Sequence, residues 1–174
     1  MRVVNGLRLT DDEARALRGL PLPLDFARVR IHRGAGGRAA RGLRRAVLHC
    51  TRGRGIALGN DVFLPDDCCE SLPVLAHELT HCAQYQAWGP LRYYVRAIAD
   101  RFREVRHQRG LGTSPYDYRS ESPKPFELYG MEQQGQIVED WFRGLAAARE
   151  LLTLEGAGPP TGRTHSHQDP RSSP

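Results

Sequence analysis

Lysine is nearly absent from this 174-residue chain: of 25 basic residues only Lys124 is a lysine, so arginine carries almost all of the positive side of a net charge of +5. Aromatics are also scarce, at 7%. The short basic clusters, Arg41, Arg44 and Arg45, then Arg52 and Arg54, have no aromatic residues between them. Charge without stacking platforms describes a solvated basic face and argues against specific nucleic-acid binding. No apolar run reaches the roughly 20 residues that span a bilayer, so no membrane span is expected. The opening "MRVVNGLRLTDDEARALRGLP" lacks an apolar core followed by a small-residue cleavage site. The expected location is therefore cytoplasmic, or exported without a classical signal peptide. The four cysteines, Cys50, Cys68, Cys69 and Cys82, form no CxxC pair. They read as reduced thiols, although their even number permits disulfides in an exported protein; the vicinal pair is a strained partnership.

What is present is enough for one core: 40% of residues are hydrophobic, a length and composition that suit a single domain. The expected domain spans residues 1–156. The last stretch, 157–174, within "GAGPPTGRTHSHQDPRSSP", has no hydrophobic periodicity and is expected to be disordered. No internal repeat is found.

Thr10, Glu13 and Gly19 suggest a short helix over 10–19 with a capping box. Pro21 and Pro23 force an extended link. Strands are expected at 26–32, 46–51 and 55–65, the last turning at Gly59-Asn60. A mobile stretch rich in glycine and arginine fills 33–45. A helix should start at Ser71, accept Pro73 in its first turn, bury Leu72, Leu75, Leu79 and Ala83 on one side, and end by Gly89-Pro90. A second helix is predicted over 91–109, with an inward stripe of Leu91, Tyr94, Val95, Ile98 and Phe102. A breaker-rich loop, 110–125, is long enough to cover a cleft as a mobile lid. One long helix is then predicted over 126–154. The fold class is α+β: a small N-terminal β-sheet, a central motif helix and a mainly helical C-terminal half.

The motif is "LAHELTHCAQYQ", residues 75–86. Positions four apart share a helix face roughly 5–6 Å apart, so the imidazoles of His77 and His81 can reach one ion. Glu78, between them in sequence, is placed to act as general base. Zinc suits this set, because it takes neutral imidazole and lowers the pKa of a water it holds toward about 7. A catalytic zinc site needs a third protein ligand. Glu132 in "MEQQGQIVEDW" is the favoured candidate: it lies three residues before Gly135, on a face where glycine admits a neighbouring helix, and a buried carboxylate needs a partner or a metal. Glu139, Asp140 and Glu127 are rivals, Glu139 also as a group holding a ligand in place. His107, His32 and His49 are weaker candidates. Tyr116, Tyr118, Tyr129 and His107 are candidates to stabilise an oxyanion. Cys82 points about 100° away from His81, so it does not complete a closed structural site.

The pieces "DFARVRIH", "LHCTRGRGIALGNDVFLP" and "LPVLAHELTHCAQYQ", in that order over about residues 20–86, resemble the zinc metallopeptidase domain associated with extracellular contractile injection systems. Asp25, His32, Thr51, Gly55 and residues 75–84 match its pattern. The resemblance implies a zincin-like fold, Zn(2+) held by His77 and His81, Glu78 as general base, and a ligand glutamate on a following helix, which Glu132 resembles. In that family the third-ligand helix follows soon after the motif and alternates glutamate with alanine; here a longer helix and a loop intervene. Related sites commonly carry an aspartate one turn after the ligand glutamate to orient a histidine, and here that place is Gln136.

Two functions follow as expectations. One is a metallopeptidase acting on a protein or peptide substrate, as an effector linked to a secretion or injection apparatus. The other is a catalytically weak or inactive zinc-binding structural or interaction module of such a system, whose site would be buried with no cleft.

Overall fold

A computed structural model describes residues 3–4, 7–8, 11–32, 42, 55–64 and 71–154. The strand expected at 46–51, the mobile stretch 33–45 apart from Gly42, the capping box of Thr10 and Glu13, His49 and the tail 157–174 lie outside the described residues.

The chain is α+β, as its sequence pattern predicts. Two short strands, β1 (Val3–Val4) and β2 (Leu7–Arg8), pair antiparallel. They precede helix α1 (Asp11–Ala16), which tightens into a 3-10 turn at Leu17–Gly19. The main sheet has three strands: β3 (Arg30–His32), β4 (Ile56–Leu58) and β5 (Asp61–Phe63), in the order β3-β5-β4. β5 lies in the middle, parallel to β3 and antiparallel to β4. The hairpin turns at Gly59-Asn60, where Gly59 has φ +67° and a Cβ would meet the Tyr85 ring at 3.2 Å. Only glycine suits both constraints.

The strand expected over 26–32 is halved. Asp25 accepts a hydrogen bond from the Ala27 amide at 3.0 Å, drawing Phe26–Arg28 into a 3-10 turn before β3 begins. Side-chain bonding of this kind competes with strand pairing.

Helix α2 (Leu72–Trp88) is the centre of the fold. The apolar pattern predicts one buried side, but ten consecutive residues, Leu75 to Gln84, are buried. The sheet covers one side of α2, and helices α3 (Pro90–Gln108) and α4 (Met131–Phe142) pack on others. Ser71 is the N-cap residue by backbone position, but its side chain makes no capping bond. Gln86 fastens the end of α2 to the sheet side. Its amide donates to Asn60 Oδ1 at 2.9 Å and accepts from the Asp25 amide at 2.9 Å.

The long helix predicted over 126–154 is three pieces: a 3-10 turn at Phe126–Leu128, α4, and α5 (Ala146–Leu154). Gln133 accepts from the Gly130 amide at 2.8 Å and starts α4. Gly144, at φ +81°, ends it. The Gly144 amide bonds Trp141 O and the Leu145 amide bonds Asp140 O, both at 2.9 Å, which is the Schellman pattern. The core joins Leu17, Val62, Leu64, Leu75, Leu79, Phe126, Ile137, Val138, Trp141 and Leu152.

The stripe assigned inward on the second helix points the other way. Leu91, Tyr94, Val95, Ile98 and Phe102 are exposed, and α3 buries Tyr93, Asp100 and Glu104 instead. The Tyr93 hydroxyl donates to Ala57 O of β4 at 3.0 Å, and Asp100 accepts from the backbone amide of Glu132. These contacts tie the helix to β4 and to the start of α4.

A candidate metal centre

His77 and His81 lie on one face of α2, with ring centroids 4.9 Å apart. Across from them, Glu132 occupies the first turn of α4. Its Oε2 is 3.6 Å from His77 Nε2 and 3.4 Å from His81 Nε2. One donor atom from each of the three lies within 4.8 Å of the others. Tetrahedral ligands at zinc-like bond lengths stand about 3.3 Å apart, so the separations suit a small divalent ion.

The imidazoles are turned for this role. His77 Nδ1 meets Glu139 Oε2 at 2.9 Å, and His81 Nδ1 meets Gln84 Oε1 at 2.8 Å. The Gln84 amide donates to Met131 O at 3.1 Å and to Gln134 Oε1 at 2.8 Å, so its oxygen is left to face His81. His81 Nδ1 must therefore donate, leaving the Nε2 lone pair on the Glu132 side. Gln134 in turn donates to Phe126 O and Tyr129 O. Both amides are fully buried and every polar atom is used. Glu139 does the same for His77, and Arg143 pairs with Glu139 at 2.5 Å. Such partners fix tautomer and orientation at metal ligands.

The backbone is arranged around the same atoms. A Cβ on Gly135 would lie 2.8 Å from His77 Nε2, so the ring occupies the space that glycine leaves. Asp100, bonded to the Glu132 amide, anchors the start of α4 from α3.

Glu78 lies beside the imidazoles, buried, and its Oε2 has no hydrogen-bond partner among the described residues. Burial pushes its carboxyl above the ordinary range, against the opposing pull of His77 and His81. Burial works against a charge on His77, but hydrogen bonds to Glu132 and Glu139 outweigh it and raise that group to about 10. His81 is also raised; burial is again opposed, there chiefly by the Glu132 charge. Glu132 and Glu139 are both held below the usual carboxylate range: burial is overcome by the two histidines for Glu132, and by His77 and Arg143 for Glu139. Two aligned imidazoles, a facing carboxylate and a second carboxylate with one unpartnered oxygen fit a divalent ion.

These groups open into a cavity of about 810 Å³, walled also by Ile56 and Leu58 of β4, Tyr93, Tyr94 and Ile98 of α3, and Tyr116. The other sequence candidates fall elsewhere. Gln136 faces the cavity but donates to Asp140 Oδ1 at 2.9 Å, so the place expected to orient a histidine does not; Glu139, one turn further, takes it. Tyr129 is buried outside this cavity, its hydroxyl against the Lys124 amide, and so cannot serve an oxyanion there. Tyr118 donates to Asp140 at 2.8 Å, and Arg119 also pairs with Asp140. Tyr116 alone of the three tyrosines lines the cavity, its ring 6.4 Å from that of His77. His32 bonds Asp61 and stacks on Phe63, His107 bonds Gly112 O, and Glu127 is exposed. Cys82 is buried outside the ligand group and its thiol is pushed up by burial. The loop 110–125 is tied down rather than loose, since Gln133 donates to Asp117 O at 2.9 Å and to Glu121 Oε1 at 2.6 Å. The sequence pattern alone does not single out Gln84, Gln134 or Asp100. The only signal was Gln84 at three residues after His81, a spacing that places it on the same helix side.

No helix among the described residues is long and apolar enough to cross a membrane. No curated protein and no solved structure matches the chain. Residues 11–89, from α1 through the whole of α2, match the family model of the eCIS core domain, which links this segment to extracellular contractile injection systems.

Proposed function

We propose that the protein is a zinc-dependent, zincin-like metallopeptidase that hydrolyses peptide bonds of a protein or peptide substrate, as an effector or component of a contractile injection system. The observation that carries this reading is the meeting, in one cavity, of His77, His81 and Glu132 with a buried carboxylate, Glu78, that has an unpartnered oxygen. Bound zinc would supply a Lewis acid and a water acidic enough to react near neutral pH.

The chain's own residues do the rest. His77, His81 and Glu132 hold the ion, and Glu139 and Gln84 keep the two Nε2 lone pairs directed at it. Glu78 accepts a proton from the attacking water and returns it to the leaving amine. Its elevated proton affinity suits a group that must hold that proton between the two steps. Tyr116 is the side chain best placed to donate to the developing oxyanion of the scissile carbonyl. The family match supports the association with an injection system, and the cavity at the metal group favours an enzyme over a closed structural site.

The test compares wild type with Glu78→Gln on an unfolded protein and a fluorogenic peptide library, with zinc content measured on both. Cleavage by wild type alone, at equal zinc, supports the enzyme. Zinc in both with cleavage by neither favours a catalytically silent zinc-binding module, which the complete enclosure of Glu78 Oε2 would then explain.

A further inference from the structure

Helix α3 leaves a long apolar stripe exposed, and the stripe touches the wall of the metal-centre cavity only at Ile98. Leu91 is 80% exposed, Val95 59%, Ile98 58% and Phe102 68%. Val105, half-buried, continues the line. The spacing of these five is four, three, four, three, the alternation that makes a straight seam for a second helix over about 21 Å. Ordinary surface helices do not leave four such residues uncovered in one contiguous row. Nor does the stripe hold α3 in place, since Tyr93 and Asp100 do so from another face.

The residues flanking the seam carry one sign. With Val95 and Phe102 at the a positions, Arg92 and Arg106 take e positions and Arg101 a g position. Arg92 lies over the Trp88 ring at 5.8 Å, and Arg101 pairs with Glu104. Arg106 has no ion pair among the described residues. A second copy of this helix would set arginine against arginine in either orientation, which works against a homodimer. We propose that α3 docks an amphipathic helix of a different protein, one with an apolar heptad seam flanked by glutamate or aspartate. Tyr94, Ile98 and Arg101 also line the cavity of the metal centre, so the docked helix would border its mouth.

The test uses the full chain and two 21-residue heptad peptides with leucine and isoleucine at the seam, one with glutamate and one with lysine at the e and g positions. Fluorescence anisotropy of the labelled peptides and sedimentation of the protein are the readouts. The seam is exposed, so V95D/I98D should fold normally, as checked by circular dichroism. The expected result is saturable binding of the glutamate peptide, weakened at least tenfold by V95D/I98D. Arg92→Glu with Arg101→Glu and Arg106→Glu should transfer preference to the lysine peptide. No saturable binding of the glutamate peptide, or binding indifferent to V95D/I98D, overturns the proposal. So does a wild-type dimer dissociated by V95D/I98D, or binding of phosphatidylserine vesicles without binding of either peptide.

Discussion

Gly135 of α4 and His77 of α2 share one space: a Cβ on the glycine would stand 2.8 Å from the imidazole Nε2. The ring that would carry the ion therefore depends on an absent side chain in another helix. Gly135→Ala should displace His77, lower metal affinity at least tenfold, and destabilise the fold by about 1–3 kcal/mol through overpacking. Titration with zinc against a chromophoric chelator, together with thermal melts, measures both. Unchanged affinity would mean that the ring can move aside without leaving the ligand group.

The ligand assignment makes a direct prediction. Wild type purified without added zinc should carry near one metal ion per chain by elemental mass spectrometry. Glu132→Ala should lose most of it, because two imidazoles alone leave the group short of a ligand. Little metal in either protein would leave His77 and His81 as ordinary buried polar residues, and the hydrolase reading would fall.

Glu78 touches none of the ion's three proposed ligands by hydrogen bond, so Glu78→Gln should keep the metal while slowing any cleavage by about 10²–10⁴-fold, the usual contribution of a general base. Steady-state rates on the best substrate, at matched zinc content, decide it. A variant with wild-type rate would remove Glu78 from the chemistry.

The supporting shell should be felt without touching the ion. Glu139→Ala and Gln84→Leu are each expected to weaken metal binding about 10–100-fold. Gln84→Leu also leaves Gln134 Oε1 without its donor and His81 Nδ1 without its acceptor, at a cost of about 1–3 kcal/mol. Competition titrations and melts on the metal-free variants separate the two effects.

The shifted groups give the metal-free protein a pH signature. His77, raised to about 10, contributes stability that is complete below its ordinary 6.5 and is lost as pH rises through about 10. Glu132 and Glu139, both lowered, contribute stability that is present above the ordinary carboxylate range and is lost as pH falls through their folded values. Thermal stability without metal should therefore be greatest in the mildly acidic range, between those limits. Zinc must displace the histidine protons, so its apparent affinity should climb from pH 6 to pH 9. Affinity independent of pH over that range would show that the imidazoles are neutral before the metal arrives.

Much of the site was legible because it is local. Spacing of four put His77 and His81 on one face, Gly89-Pro90 marked the end of their helix, and Gly59-Asn60 marked the hairpin. Glycine at 135 correctly announced a close helix approach. From sequence Glu139 fits either a support or a rival ligand, and the placement of α4 decides between the two: it aims Glu132 at Nε2 of both histidines and Glu139 at Nδ1 of one. Gln136 does not orient a histidine and instead donates to Asp140, one turn on.

By itself, then, the sequence determined where the motif helix lies and which side chains share its face, since those follow from the helical repeat and from residues that end helices. Only the tertiary structure decided what meets that face. The 4-3-4-3 stripe of α3 is equally periodic whether it points in or out; Tyr93, bonded to Ala57 O 36 positions away, and Asp100, against the Glu132 amide 32 positions away, are the residues that face inward, and the stripe is left exposed. Gln84 became the support of His81 for the same reason: its two amide hydrogens found acceptors on α4, 47 and 50 positions along the chain. A hydrogen bond between distant segments has no period in the sequence that contains it.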